Sequence, residues 1–398
     1  MRALHVISDI NATSGGPPVI ASRLAAAQAR LGHATGLFSY TPKAGGGSVL
    51  EGLRSTPGGE HVALHLVDPP ADRLEFMLPR RGKALLRSII GQYDFVHIHA
   101  IWEPVLATAA SVARAAGVPY TVCLHGMLDP WCMSQGTLKK KVALALSVRR
   151  MLEGAAFLHL GNRDERELIK PLGLKVGNEL IPNGVFIEEF ANPPAPGAFR
   201  AKRPELGADP YILFLSRLHL KKGLDYLAEA FALVRAKRPD VRLVVAGADD
   251  GYKAEFQAAI ARLNVADRVH LVGPLYGQDK LAAFVDAACF CLPSRQEGFS
   301  IAITESLAMG TPAVVTTGCH YPEVAEVGAG EVVDLDGRAV GEALLRVLAH
   351  PDRAAMGRKG QELIRTRFNW PAVAQLTVGL YQRACDAVGR VVVAGPAR

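Results

Sequence analysis

Ala288-Cys-Phe-Cys-Leu-Pro-Ser-Arg-Gln-Glu-Gly-Phe-Ser-Ile-Ala-Ile-Thr-Glu-Ser-Leu-Ala-Met-Gly310 joins two kinds of periodicity across a short loop. Ala288 to Leu292 is an unbroken apolar run of strand length. Beyond the loop, Ile301, Thr304, Leu307 and Ala308 recur at helical spacing. A strand passing at once into a helix is half of a parallel-sheet unit, because a parallel neighbour is reached only by a crossover. The same stretch carries two carboxylates. Glu297 stands in the loop at the mouth of the helix, and Glu305 lies further in on a nearby face. The backbone N–H groups of Phe299, Ser300 and Ile301 lack intrahelical partners and suit an anion or a ring of hydroxyls. Carboxylates accept paired hydrogen bonds from vicinal diols, so the combination reads as a grip for a sugar nucleotide. On spacing alone, two solvated helix glutamates fit equally well.

The alternation continues in both directions. After Glu297's unit comes a strand at Ala313–Thr316 and a helix at Val340–Ala349. Before it come strands at Tyr211–Ser216, Val241–Ala246 and Val269–Val272, with helices at Leu224–Arg238, Tyr252–Leu263 and Leu281–Ala287. The first half repeats the scheme with strands Ala3–Ser8, Phe95–His99, Tyr120–Leu124 and Ala156–Leu160. Its helices are Pro18–Leu31, Pro104–Ala116, Leu138–Glu153 and Arg163–Lys170. Residues 41–60 read as an irregular loop. Asn192-Pro-Pro-Ala-Pro-Gly197 sustains neither a helix nor a central strand, so 186–209 reads as a linker. The expected architecture is α/β: two Rossmann-like domains, 1–185 and 210–369, with parallel sheets facing a central cleft. The helix pattern from Trp370 to about Ala387, within 370–398, is expected to pack back toward the first domain.

The chain has 398 residues, enough for two domains, with 49% hydrophobic and 21% charged residues, a soluble globular balance. No apolar run reaches the ~20 residues that span a bilayer. The first residues lack a signal peptide's long apolar core and cleavage site, and six cysteines without CxxC or zinc spacing read as reduced thiols. A cytoplasmic protein is expected. The net charge of +7 suits phosphate-bearing ligands or an anionic membrane. No nucleic-acid signature accompanies it, and no nucleic acid is expected as a partner.

Ser216-Arg-Leu-His-Leu-Lys-Lys-Gly223 follows the first strand of the second half. Arg217 and Lys222 thus stand at the carboxyl end of that strand, before a helix N-terminus, where two cations can offset a diphosphate without a metal. Lys222 alone reads as a surface cation; Arg217, directly after an apolar strand, is the stronger signal. Ser14-Gly-Gly-Pro17 opens the first helix of the chain, and Gly15 and Gly16 permit close approach of a phosphate or sugar. It is neither G-x-G-x-x-G nor a P-loop. His125 ends a first-half strand, with Gly126 beside it; a ligand-facing and a buried structural histidine fit equally. His97 and His99 share one strand face and read as packing or acceptor-side residues. Asp334-Leu-Asp336 matches a metal-binding D-x-D in letters only, and Asp336 reads as a helix cap. Two basic amphipathic segments, Arg80–Ile90 and Leu138–Leu152, suit an anionic lipid surface or a solvated face.

With these motifs in order, the chain resembles the retaining glycosyltransferases of family four, which have the GT-B fold. The resemblance runs over nearly the whole length. It is carried by Ile181-Pro-Asn-Gly-Val, Ser216-Arg-Leu through Lys222-Gly, Val244-Val-Ala-Gly, Val272-Gly, Leu292-Pro-Ser through Glu305, and Ala308-Met-Gly-Thr-Pro312. It implies that Arg217 and Lys222 hold the donor diphosphate while the Gly15-Gly16 loop closes over it. By the same resemblance Glu305 binds the ribose, and Glu297 with the amides of Gly298, Phe299 and Ser300 binds the donor sugar. His125 lies near the reacting face, and the base sits beside Gly273 to Leu275. The leaving phosphate accepts the proton, so neither glutamate need be a nucleophile. The donor is then a nucleotide-diphosphate sugar, used as a substrate with no cofactor and no metal. Two departures stand out: Phe186 where Asp usually follows Asn-Gly-Val, and Glu305-Ser306 in place of Glu-Ala.

Segment His125-Gly-Met-Leu-Asp-Pro-Trp131 is similar to members that build bacterial surface polysaccharides. That similarity implies a glycan or lipid-linked glycan acceptor and a place on the inner face of the cytoplasmic membrane. Three other readings stay open: a nucleotide-sugar epimerase of the same fold, a glycosidase using Glu297 and Glu305, and a non-catalytic sugar receptor.

Overall fold

Strands buried on both faces of a parallel sheet have to be apolar along their length; one half of this chain obeys that rule and the other departs from it. The computed structural model describes residues 1–11, 16–42, 49–128, 133, 140 and 143–390. Met1–Asn183 together with Trp370–Arg398 form one compact unit, and Gly184–Asn369 form the other.

The first unit contains β1 (Arg2–Val6), β2 (Ala34–Tyr40), β3 (Ala63–Val67), β4 (Phe95–His99), β5 (Tyr120–Cys123), β6 (Phe157–Leu160) and β7 (Asn178–Leu180). They pair in parallel in the order β3-β2-β1-β4-β5-β6-β7. The second unit contains β8 (Tyr211–Leu215), β9 (Arg242–Ala246), β10 (Val269–Gly273), β11 (Cys289–Leu292), β12 (Ala313–Thr316) and β13 (Gly330–Val333). These are also parallel, in the order β10-β9-β8-β11-β12-β13. In each sheet the strand order reverses once, between β1 and β4 and between β8 and β11. Ligands of open parallel sheets bind outside the carboxyl ends at such a reversal. Both domains are Rossmann-like α/β units.

Arg242, His270 and Glu331 hold partly exposed places in the strands of the second sheet, but its buried interior is predominantly apolar, with Phe214, Val244, Phe290, Cys291 and Val314 all fully buried. The first is not. Strand register sets His5 opposite His97 and His99 opposite Cys123, which is opposite His159. Side chains alternate along a strand, so all five share one face of that sheet. Helix Gly16–Arg30 and helix Trp370–Ala387 bring Gln28, Thr377 and Tyr381 to them. The second of these helices is anchored in the first unit, with Tyr381 stacked on Phe95 at 4.3 Å and the Cys385 thiol donating to the Asp94 carbonyl.

Three expectations need correction. Residues 186–209 are not a free linker. Phe186, Phe199 and Leu206 are buried, and Asp286 accepts the backbone N–H groups of Gly197, Phe199 and Arg200 at 2.5, 3.0 and 3.1 Å. The prolines do interrupt regular structure, but the large apolar side chains between them still have an apolar face to cover. Within 41–60, Val49–Ser55 is helical, with Val49 and Leu53 buried. The helix expected over Leu138–Glu153 is described only in part, as a five-residue π-type stretch Leu144–Val148 leading into Arg149–Glu153. Among the described residues no helix is long and apolar enough to cross a membrane, and the five cysteines are buried free thiols.

Candidate active site

In the second unit the loops after β8 and β11 are pressed together by a glycine. Gly223 adopts φ +69, and a Cβ there would stand 1.8 Å from the Pro293 carbonyl oxygen. Arg295 closes the same seam: its N–H donates to the Lys221 carbonyl at 2.8 Å, and its guanidinium spans the Leu220 carbonyl and Asp225. The result brings Lys222 onto Glu297. The ammonium donates to both carboxylate oxygens, at 2.6 and 2.9 Å, and the Ser294 hydroxyl donates to the first at 2.5 Å. Lys222 and Glu297 keep only 12% and 8% of their side-chain surface. The Glu297 N–H in turn donates to the Gly318 carbonyl at 2.8 Å. A charge pair this enclosed needs every remaining lone pair satisfied, and Ser294 contributes to that.

Ser300 caps the helix Ile301–Ala308, its hydroxyl accepting from the Ile303 N–H at 3.4 Å. Phe299 packs its ring on Tyr321 and Phe368, which leaves its backbone, not its side chain, for a ligand. Within that helix Glu305 is buried and receives Lys280 at 2.6 Å. Lys280 comes from the helix Gly277–Asp286, directly after the Gly273–Leu275 turn, where Gly273 has φ +74. Arg217 lies on the exposed side of the same sheet edge and is held by Asp250 at 2.6 Å, with 68% of its side chain in solvent.

In the first unit His125 follows β5 with φ +51, a left-handed conformation uncommon for a residue with a Cβ. Glu165 fixes the turn: its two oxygens accept the Gly126 and Gly161 N–H groups, each at 2.7 Å. The His125 ring is half-buried, lies 3.3 Å from His99 and 3.7 Å from the Cys123 thiol, and burial lowers its pKa to about 3. Ala100, at the end of β4, is also left-handed, and nearby Glu103 is raised by burial and by Asp9, with one oxygen buried and unpartnered. Gly16 begins the helix Gly16–Arg30; Gly15 lies outside the described residues.

Arg217, Lys222, Glu297, Gly298, Phe299, Ser300, Glu305, Gly273 and Leu275 therefore share the carboxyl-end rim of the second sheet, and His125 that of the first. Reading the sequence missed Lys280, Ser294, Asp250 and Glu103. Lys280 carried a signal: it opens the helix after the Gly273 turn, as Lys222 stands before the helix after β8. The D-x-D letters act as expected of a cap, with Asp336 accepting the Ala339 N–H at 2.8 Å.

Residues 197–363 match the family model for glycosyl transferases group 1, and residues 15–184 match that for a glycosyl transferase 4-like domain. The chain is 30% identical to D-inositol 3-phosphate glycosyltransferase of Pseudarthrobacter chlorophenolicus over 77% of this chain and 74% of the relative. It belongs to the family-four glycosyltransferases. This transferase is also 28% identical to a GDP-mannose-dependent monoacylated alpha-(1-6)-phosphatidylinositol monomannoside mannosyltransferase of Corynebacterium glutamicum, over 70% of the chain and 74% of that relative. Its fold is that of the Anabaena HepE protein solved with UDP-glucose, at a TM-score of 0.73 and 18% identity, covering 96% of this chain and all of that one. The fold class is GT-B.

Proposed function

We propose that this glycosyltransferase moves a hexose, with retention of anomeric configuration and without a metal, from a nucleotide-diphosphate sugar to a lipid-linked glycan in polysaccharide assembly. The observation that carries it is the Lys222–Glu297–Ser294 cluster on the rim of the second sheet. A carboxylate already aligned by a cation and a hydroxyl costs little reorganisation when sugar hydroxyls reach it. Lys222 and Arg217 offset the diphosphate, whose charge grows as it leaves, and the leaving phosphate takes the acceptor proton. Glu305, tied to Lys280, accepts the ribose hydroxyls. The base rests beside Gly273 and Leu275, Gly15 and Gly16 cover the diphosphate, and His125 stands by the reacting face of the sugar. These groups supply charge and alignment, and none need form a covalent intermediate.

Support for a lipid-linked acceptor comes from the first unit's surface. Leu74, Met77 and Leu78 are 64, 57 and 54% exposed, and Phe76 is 43% exposed. Helix Arg80–Ile89 follows, burying Gly82, Leu86 and Ile89 while Arg80, Arg81, Lys83 and Arg87 face solvent. Apolar side chains beside a cationic helix face fit the surface of an anionic bilayer. The Corynebacterium relative's name specifies a phosphatidylinositol-based acceptor.

Incubation with UDP-, GDP- and ADP-hexoses, with EDTA present and a membrane lipid extract as acceptor, tests this. The expected result is a lipid-extractable product of retained configuration from one nucleotide class. Loss of activity in EDTA with recovery in magnesium or manganese overturns the metal-free step. Conversion of the nucleotide sugar without acceptor points to an epimerase, and cleavage of a simple glycoside without nucleotide points to a glycosidase.

A further inference from the structure

The buried face of the first sheet carries more titratable groups than transfer chemistry uses. His5, His97 and His99 are fully enclosed, His159 is 1% exposed, and His125 stands at their edge. Burial lowers His5 and His159 to about 4 and His125 to about 3, and pushes His97 and His99 well below the ordinary histidine range. At neutral pH each ring therefore holds one proton, and each has one donor and one acceptor nitrogen.

Their partners leave one way to place those protons. The Ile181 carbonyl can only accept, so His159 carries its proton on Nε2 and donates there at 2.8 Å. His159 Nδ1 must then accept, at 3.1 Å, from His97 Nε2. His97 Nδ1 accepts the Tyr381 hydroxyl proton at 2.5 Å, and the Tyr381 oxygen accepts from Gln28 Nε2 at 3.2 Å. The Gln28 amide cannot be turned round: its Nε2 also donates to Thr377 Oγ1 at 2.9 Å, and that hydroxyl is already spent on the Ala374 carbonyl at 2.9 Å. Gln28 Oε1 therefore accepts from His5 Nε2 at 3.0 Å. His5 Nδ1 accepts from His99 Nε2 at 3.0 Å, and His99 Nδ1 accepts from His125 Nε2 at 3.3 Å. His125 Nδ1 is left facing the Cys123 thiol, a weak donor at 3.7 Å.

A metal ion is the competing explanation for such a cluster. Three trios have ligand atoms within 4.8 Å of one another: His5–His97–His99, His97–Cys123–His159 and His99–Cys123–His125. In the first, His97 and His99 are stacked 4.2 Å apart at 15°, so their in-plane lone pairs run side by side and do not converge. The other two need Cys123 as a thiolate, and burial pushes that thiol well above its ordinary range. Proton sharing satisfies every one of these ring nitrogens except His125 Nδ1 without either cost.

We propose that this one-way chain is a positioning relay that locks His125 as the Nε2–H tautomer and so keeps its Nδ1 an acceptor at the carboxyl-end rim of the first sheet. Gln28, held by Thr377, sets its direction toward His125; His5 and His99 transmit it. They act through His125 and touch no substrate. The effect on turnover rests on the function proposed above. The tautomer itself does not. Successive hydrogen bonds of one sense polarise each other, so a break at Gln28 is felt at His125, the third ring along.

The full chain labelled with 15N-histidine reports tautomers directly through long-range 1H–15N correlations. All five rings are expected as neutral Nε2–H at pH 7, assigned by single-histidine substitutions. Gln28→Met should leave His5, His99 and His125 as tautomer mixtures, whereas Tyr381→Phe should perturb His97 and spare His125. In turnover, His99→Leu should lower kcat about tenfold, the scale of one lost hydrogen bond, with the donor KM little changed. His99→Asn keeps an acceptor where Nδ1 stood and should recover most of it. A wild-type His125 found as Nδ1–H or as a cation overturns the relay, as does stoichiometric zinc in the purified protein or an unchanged kcat in His99→Leu. The wild-type spectrum stands even if a variant fails to fold. Five Nε2–H rings with no transfer from any nucleotide sugar would sink the functional reading alone.

Discussion

Both units spend buried polar groups near the ends of their strands, but in opposite currencies of charge. The first unit uses neutral rings linked by single shared protons, and His5, His97 and His99 are buried to 0% exposure. The second uses full charges in pairs, Lys222 with Glu297 and Lys280 with Glu305, and every member keeps between 8 and 25% of its side chain in contact with solvent. A neutral imidazole with both nitrogens bonded loses little on leaving water, so a chain of them can run deep under a sheet. An ion cannot, and stays at the rim where a ligand also arrives. The polarity that builds an interior and the polarity that stays within reach of solvent are thereby separated by charge state.

The sharpest way to break that contrast is to strand one ion. Lys222→Ala leaves Glu297 enclosed without its counter-charge, and a loss of about 3–5 kcal/mol in urea unfolding is expected. Adding Glu297→Gln to it should restore most of that stability but none of the transfer rate. Equal stability of the single and double variants would show that the pair is solvated like any surface pair.

Arg217→Ala separates chemistry from stability. Its ion pair with Asp250 is open to solvent, so unfolding should barely move. The rate should fall on the order of 100-fold, or ~2–4 kcal/mol of transition-state stabilisation. Near-normal turnover would leave Arg217 a surface residue.

Acid probes the first unit. Its histidines have folded pKa values depressed below the unfolded value near 6.5, so below that pH the unfolded chain takes up protons that the folded chain refuses. Stability should be level above about pH 6.5 and fall toward pH 4, by about 1.4 kcal/mol per pH unit for each such ring. The slope should lessen in His5→Phe, and a flat profile between pH 6.5 and 4.5 would mean that the rings are already charged.

The smallest effect concerns surfaces. Salt-sensitive pelleting with anionic vesicles should weaken in Lys83→Gln and Arg87→Gln, by roughly 1 kcal/mol per cation, and remain unchanged in Arg338→Gln of the second unit. Equal weakening by all three would assign the binding to net charge alone.

Much of this was legible in the residues. Every strand with a continuous apolar run was found, and the loop-borne charges of the second unit were named because they follow such runs directly. Four strands were missed for physical reasons. Ala34-Thr-Gly-Leu-Phe-Ser-Tyr40 mixes small and polar residues, and Ala63-Leu-His-Leu-Val67 and Asn178-Glu-Leu180 are the two edges of their sheet, where one side needs no apolar partner. Gly330-Glu-Val-Val333 is likewise an edge and too short to stand out. Lys280 was missed because its partner is brought to it by a sheet, not by spacing. The histidines of β1, β4 and β6 were visible as letters, and two were even placed on one face. Their linkage was not, since Gln28 and Tyr381 lie 353 positions apart in the chain.

The helix Trp370–Ala387 completes the first unit although it is synthesised after the whole of the second. On a ribosome, residues 1–183 must therefore wait with the histidine face of their sheet covered only by helix Gly16–Arg30 until more than half of the protein has followed. Gly184–Asn369 has all of its own elements in hand and can settle first, inverting the usual N-to-C order of domain folding. A premature stop just before Trp370 would thus spare the second unit and leave the first without half of its cover, a lesion that protein quality control would see as exposed sheet.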